Sequence, residues 1–181
     1  MNTHRQNSDT TIAQTKHVRF VDRDGWSFVE RIGNTGIVCI VAKTTDGRLV
    51  LVEQYRPPVQ RPVIELPAGL AGDLDDQADE TLQQAAEREL LEETGYAAST
   101  WRRLVTVASS PGLTDEIVTF FLAEDLQRRS AGGGDASEDI RVHEIPLAEI
   151  EDWLSAISSA GSLIDARVYT GLYFLGKVLH G

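Results

Sequence analysis

The sequence predicts a mixed α/β fold of the α+β kind, with antiparallel hairpins and few helices, not a doubly wound βαβ chain. Three observations predict it. Two pairs of strand-like runs are joined through Asp-Gly turns, at Asp24-Gly25 and Asp46-Gly47, a strong short-range hairpin signal. One stretch, Asp79 to Thr94, lacks Gly and Pro and is rich in Leu, Gln, Ala, Glu and Arg, the good helix formers. With 181 residues, 41% hydrophobic and 25% charged, the chain has the composition of one ordinary domain with a modest extension.

The elements follow in order. The first residues, 1–15, are polar with no apolar core and read as a flexible arm. Residues 17–22 (HVRFVD) and 26–31 (WSFVER) read as strands around Arg23-Asp24-Gly25, forming an N-terminal hairpin over residues 16–35. The next pair is Gly36–Lys43 and Arg48–Tyr55. Ile37 to Ala42 is apolar at every position, which predicts a strand buried on both faces. Cys39 fits there as a small buried hydrophobe. A short strand at Val63–Leu66 precedes Pro67-Ala68-Gly69.

In the helix, Leu82, Ala86 and Leu90 make a narrow apolar stripe. Asp79 is placed to cap its start and Gly95 its end. Strands are expected at Arg103–Ala108, Ile117–Leu122 and Ile140–Ile145, with Gly132-Gly133-Gly134 as a mobile loop between the last two. A short helix is expected at Leu147–Ser155. A final one after Asp165 turns Val168, Leu172, Leu175 and Leu179 inward, with Tyr169, Tyr173 and Phe174 as core or dimer contacts.

Composition excludes several classes. One cysteine makes no intrachain disulfide and no thiolate zinc site. No apolar run approaches the ~20 residues of a membrane helix, and the N-terminus lacks a secretory h-region, so a cytoplasmic address is expected. Lys plus Arg is 17 against 28 for Asp plus Glu, a formal charge of −11, which repels nucleic acid. A small anionic substrate remains open, provided that cations help to hold it.

The chemistry concentrates in Arg88-Glu89-Leu90-Leu91-Glu92-Glu93-Thr94-Gly95-Tyr96. On a helix Glu89, Glu92 and Glu93 share a face, each like-charge pair costing roughly 0.2–0.5 kcal/mol. They also sit in the last turn, where the helix dipole disfavours negative charge by about 0.3–1 kcal/mol per group. Arg88 can offset only part of this. Carboxylate oxygens clustered without His or Cys favour a hard cation such as Mg²⁺ or Mn²⁺, which joins carboxylates to substrate phosphates. The alternative is a solvated acidic face.

The flanks bear on that choice. From Glu80, eight residues before Arg88, through Arg88-Glu89-Leu90, Glu92-Glu93 and Gly95-Tyr96, the chain resembles the second half of the signature box of the Nudix hydrolases. The first half differs: ten residues separate Gly69 from Glu80 where the family has five, so the loop LAGDLDDQAD carries an insertion. Glu53-Gln54-Tyr55-Arg56, Glu65-Leu66-Pro67-Ala68-Gly69 and Ser110-Pro111-Gly112 resemble the ADP-ribose pyrophosphatase and nucleoside-diphosphate-sugar hydrolase subfamily. Pro111 lies fifteen residues beyond Tyr96, close to that subfamily's marker spacing.

The resemblance implies an α/β/α sandwich with a mixed sheet over residues 36–181, and a homodimer built through the N-terminal hairpin. It implies a Mg²⁺-dependent pyrophosphohydrolase, with Mn²⁺ as a substitute, that cleaves ADP-ribose or another nucleoside-diphosphate sugar. Glu89, Glu93 and the carbonyl of Ala68 would be metal ligands, with Glu92 a further ligand or a catalytic partner just outside. Glu116 would be the general base, or else a solvated loop carboxylate. Arg56 would clamp the diphosphate and Arg31 contact substrate. Trp26 and Phe28 would either stack on the base or serve packing. His143 reads as structural. The competing functions are a nucleotide sensor that does not cleave, and a hydrolase of dinucleoside polyphosphates or coenzyme A.

Overall fold

The computed structural model describes residues 9–72, 79–134 and 139–180. The chain opens with a three-stranded antiparallel sheet of β1 (Thr10–Gln14), β2 (Val18–Arg23) and β3 (Trp26–Arg31). The turn between β2 and β3 places Asp24 and Gly25 at φ 54° and 86°, the positive values that an Asp-Gly hairpin turn requires. The expected polar arm is therefore ordered in part. Thr10–Gln14 pairs with β2, Thr10 opposite Asp22 and Gln14 opposite Arg19, and Asp9 accepts from Arg23 Nη2 at 2.6 Å. Residues 1–8 of that arm lie outside the described residues.

The main sheet is mixed. Its strands are β4 (Gly36–Lys43), β5 (Arg48–Arg56), β6 (Arg61–Glu65), β7 (Ala68–Ala71), β8 (Tyr96–Ala108), β9 (Ile117–Arg128), β10 (Arg141–Pro146) and β11 (Leu163–Ile164). They run in the order β11-β6-β5-β4-β9-β8, with β10 beside β5 and β7 beside β4. The pairs β4–β9 and β6–β11 are parallel. Among the described residues three α-helices complete the fold: α1 (Leu82–Thr94), α2 (Ile150–Ser159) and α3 (Ala166–His180).

Side-chain alternation explains the layering, since successive strand residues face opposite sides. On β4, Ile37, Cys39 and Val41 enter one core with Phe120, Leu122, Leu154, Val168 and Leu175. Val38, Ile40 and Ala42 enter the other with Ala85, Ala86 and Leu90. The sheet is thus buried on both faces, by α1 on one side and by α2 and α3 on the other. Cys39 is fully buried, and that burial pushes its thiol pKa well up. Gly171 lets α3 approach: a Cβ there would meet Leu66 Cδ1 at 2.6 Å. Phe120 is the largest fully buried side chain. Phe120→Ala should cost about 3–5 kcal/mol of stability, read as a lower urea midpoint at unchanged slope.

Several boundaries differ from expectation. Helix α1 starts later, because Thr81 and not Asp79 is the N-cap, in a capping box with Gln84. Strands β8 and β9 are longer than expected, pairing from Tyr96–Arg128 through Ala108–Ile117. The glycine run does not hang free. Gly133 and Gly134 donate to the carbonyls of Glu93 and Glu92 at 2.8 and 3.1 Å, satisfying acceptors that a helix end leaves orphaned. Gly132 fits only because it has no Cβ, which would lie 2.4 Å from the Thr94 carbonyl carbon. On α3, Val168 and Leu175 are buried as expected, but Leu179, Tyr169 and Tyr173 are exposed. Among the described residues no helix is long and apolar enough to cross a membrane.

Candidate active site

Helix α1 ends at Gly95, which adopts the left-handed conformation and donates to Leu91 O at 2.9 Å. Its last two turns carry the acidic residues past β7. Glu93 is buried and its Oε2 accepts from the Ala68 backbone N–H at 3.1 Å. Glu89 lies against Gly69 so closely that a Cβ on that glycine would stand 2.0 Å from its carboxylate. Gly69→Ala should therefore leave the core intact but displace the Glu89 carboxylate. Turnover should fall about a hundredfold, the scale of an ångström-sized misplacement, with the thermal midpoint nearly unchanged. A matching loss of midpoint would instead mark a packing defect.

Arg88 does more than expected. Its guanidinium reaches Glu80 at 3.0 Å, Glu89 at 2.7 Å and Glu92 at 3.1 Å, and donates to Leu70 O at 2.9 Å. Part of the charge problem on this helix is thus solved within the chain, and the same residue ties α1 to β7. The hydrogen bond from Arg88 holds the Glu80 carboxyl below its usual pKa. This contribution to stability is complete above the ordinary Glu range and is lost as pH falls through the lowered value. Most of the inserted loop before Glu80, residues 73–78, lies outside the described residues.

A cleft of about 830 Å³ opens beside this helix. Arg31, Arg56, Ala68, Gly69, Glu89 and Glu116 all line it, with Ser109 and the start of α3. It therefore brings together most of the residues singled out from the sequence. Glu92 and Glu93 are not among its lining residues. Glu93 lies beneath, bonded to Ala68, while the Glu92 side chain is half exposed. Trp26 and Phe28 line an adjoining pocket of about 500 Å³ that shares Ala108 and Glu116 with the cleft. Trp26 is exposed and donates to Gly112 O at 3.3 Å; Phe28 is buried, with the Arg23 guanidinium over its ring at 4.9 Å.

Glu116 ends the loop between β8 and β9. The loop is closed by Ser109 N–H donating to Glu116 O at 3.0 Å and is tied to β3 by Val29 N–H donating to Leu113 O at 2.8 Å. The Glu116 Oε1 accepts from Arg31 Nε and Nη2 at 2.9 and 2.8 Å. This ion pair adds to the backbone bond in joining the N-terminal sheet to the loop. His143 is not among the cleft's lining residues; its Nε2 lies 2.9 Å from Glu53 Oε2 and its ring is tilted against Trp153, centroids 5.1 Å apart.

Sequence reasoning missed the group opposite the acidic helix. Glu65 is buried and bonds Arg56 Nε at 2.8 Å and Arg167 Nη2 at 3.1 Å. Arg167 in turn bonds Asp165, and all four residues line the cleft. Burial works against the Arg167 charge, but the Asp165 carboxylate outweighs it and raises the pKa. Asp165 is a local partner of Arg167, but no local pattern links it to Glu65, which lies 102 residues away on β6.

The donor set beside Ala68 is oxygen only, which suits a hard divalent cation. Among the described residues no three His, Cys, Asp or Glu side chains converge enough to hold a metal ion by themselves. Such an ion would be completed by the Ala68 carbonyl, by water and by substrate phosphate, as magnesium sites commonly are.

Comparison with known proteins bears on the family and the fold. The NUDIX domain model matches residues 33–161. The chain is 34% identical over 150 residues to an ADP-ribose pyrophosphatase of Bacillus subtilis (strain 168), covering 81% of this chain and 75% of that one. It is 35% identical over 148 residues to a GDP-mannose pyrophosphatase of Escherichia coli O9:H4 (strain HS), covering 77% and 72%. A solved structure described as an ADP compounds hydrolase superposes with a TM-score of 0.72 at 23% identity, over 99% of this chain and 97% of that one, a likeness of fold. The domain match over residues 33–161 and these relatives, on a fold shared with a solved hydrolase, place the chain in the Nudix hydrolase family.

Proposed function

We propose that this Nudix hydrolase cleaves the diphosphate of ADP-ribose or another nucleoside-diphosphate sugar, giving a nucleoside monophosphate and a sugar phosphate. One observation carries the reading: a single cleft holds three arginines (Arg31, Arg56 and Arg167), the Ala68–Gly69 edge with Glu89, and Glu116. The relatives that act on ADP-ribose and GDP-mannose support the substrate class.

Arg56 binds the diphosphate. Its Nε is fixed by Glu65, and among the described residues its terminal Nη groups make no hydrogen bond. A guanidinium with two such donors suits phosphate oxygens. Glu89, Glu93 and the Ala68 carbonyl would hold Mg²⁺, or Mn²⁺ in its place, with Glu92 acting from outside through Arg88. When bound, such an ion neutralises phosphate charge and lowers the pKa of a coordinated water. Glu116 takes the proton of the attacking water, and Arg31, now its partner, is placed to contact the substrate. Trp26 and Phe28 offer an aromatic wall for the base. We place the enzyme in the cytoplasm as a homodimer joined through its N-terminal sheet, with no nucleic-acid or membrane partner.

The test is direct. The pure protein is incubated with Mg²⁺ and a panel of ADP-ribose, GDP-mannose, other nucleotide sugars, dinucleoside polyphosphates and coenzyme A, and the products are resolved. A nucleoside monophosphate plus a sugar phosphate is expected, lost on chelation and restored by metal. Preference for dinucleoside polyphosphates or coenzyme A overturns the substrate class; binding without any cleavage points to a sensor.

A further inference from the structure

We propose that Arg167 is a second guanidinium that binds the substrate diphosphate, and that Glu65 is the positioning residue that holds it and Arg56 side by side. The inference rests on reading the cleft as a nucleoside-diphosphate site. Glu65 is 4% exposed, and a carboxylate that deep needs a cation. One would suffice. Here each oxygen takes its own: Oε2 the Arg56 Nε at 2.8 Å, Oε1 the Arg167 Nη2 at 3.1 Å.

The two arginines come from separate elements, the end of β5 and the first turn of α3, and both line the cleft. Neither is saturated. Among the described residues Arg56 has both Nη groups and Arg167 has Nη1 without a hydrogen bond. Their side chains stay 41% and 27% exposed, so the donors left over from Glu65 face solvent in the cleft and can exchange water for phosphate oxygens. Asp165 further fixes Arg167, accepting from its Nε at 2.9 Å and its backbone N–H at 2.7 Å. The order this imposes removes side-chain freedom before the ligand arrives. Two neighbouring guanidinium groups suit two bridged phosphates.

The experiment is calorimetric binding of a methylene-bridged, non-hydrolysable ADP-ribose analogue to the full chain in Mg²⁺, with thermal midpoints in parallel. Arg167→Ala should weaken binding by about ten- to a hundredfold, the scale of a lost charged hydrogen bond. Arg167→Lys should recover part of it, because a point charge replaces the fork. Glu65→Gln should also weaken binding, but not further in a chain that lacks both arginines, as expected of a residue that acts through them. Unchanged affinity in Arg167→Ala, with Arg56→Ala weakened, overturns this proposal and leaves the functional reading standing. A loss that lysine does not relieve and that follows a fallen midpoint marks a structural ion pair and also overturns it. A wild-type chain that neither binds the analogue nor cleaves any nucleotide overturns both.

Discussion

Replacing Glu93 by Gln should lower turnover by a factor on the order of 10²–10³, the usual loss when one preorganised charge-stabilising group is removed, while the fold persists. Gln keeps the shape, and its amide oxygen can still accept from Ala68 N–H, the contact seen at 3.1 Å. What disappears is a negative charge, buried at the C-terminal end of a helix where the dipole opposes it. A carboxylate kept in that position has a cause outside helix stability. The variant should therefore unfold at the same temperature or slightly higher, yet need more Mg²⁺ for half-maximal rate. Equal rates for the two proteins at saturating Mg²⁺ would refute Glu93 as a metal ligand.

Glu116→Gln should reduce kcat by about 10²–10⁴, the range for a lost general base, with little change in the Mg²⁺ requirement. The loop carrying it is braced by backbone hydrogen bonds at Ser109 and Leu113, so the substitution has no route to disorder the site. Gln still offers Arg31 an oxygen in place of the pair at 2.8 Å, though a weaker one. The proposed proton acceptor is removed, and the Arg31 ion pair is reduced to a hydrogen bond. A variant altered only in metal affinity, with kcat intact, moves the base to another residue.

The acidic helix beside the cleft was legible in the sequence, because its periodicity fixes Glu89 and Glu93 relative to each other and to the Gly95 that caps it. Ala68 and Gly69 could be joined to it only by resemblance. The structure gives the physical link: Ala68 N–H bonds Glu93, and Gly69 makes room for Glu89. The basic half was only partly legible. Arg56 stood out in its motif, whereas Arg167 lies 102 residues from Glu65 and nothing local couples them. The glycine run was misread for the same reason. Gly132-Gly133-Gly134 has the composition of a loose connection, but the end of α1 supplies acceptors for its N–H groups.

The sequence by itself determined what local physics controls: the Asp-Gly hairpin turns, the α1 stripe and its Gly95 stop, the doubly buried β4, and the type of chemistry that three neighbouring carboxylates invite. Only the tertiary structure decided that Arg88 is shared among Glu80, Glu89 and Glu92, that Arg31 meets Glu116, and that Glu65 gathers Arg56 and Arg167. Periodicity acts over one turn or one pleat, whereas buried charges select partners by proximity in the packed chain, where leaving one unpaired costs several kcal/mol.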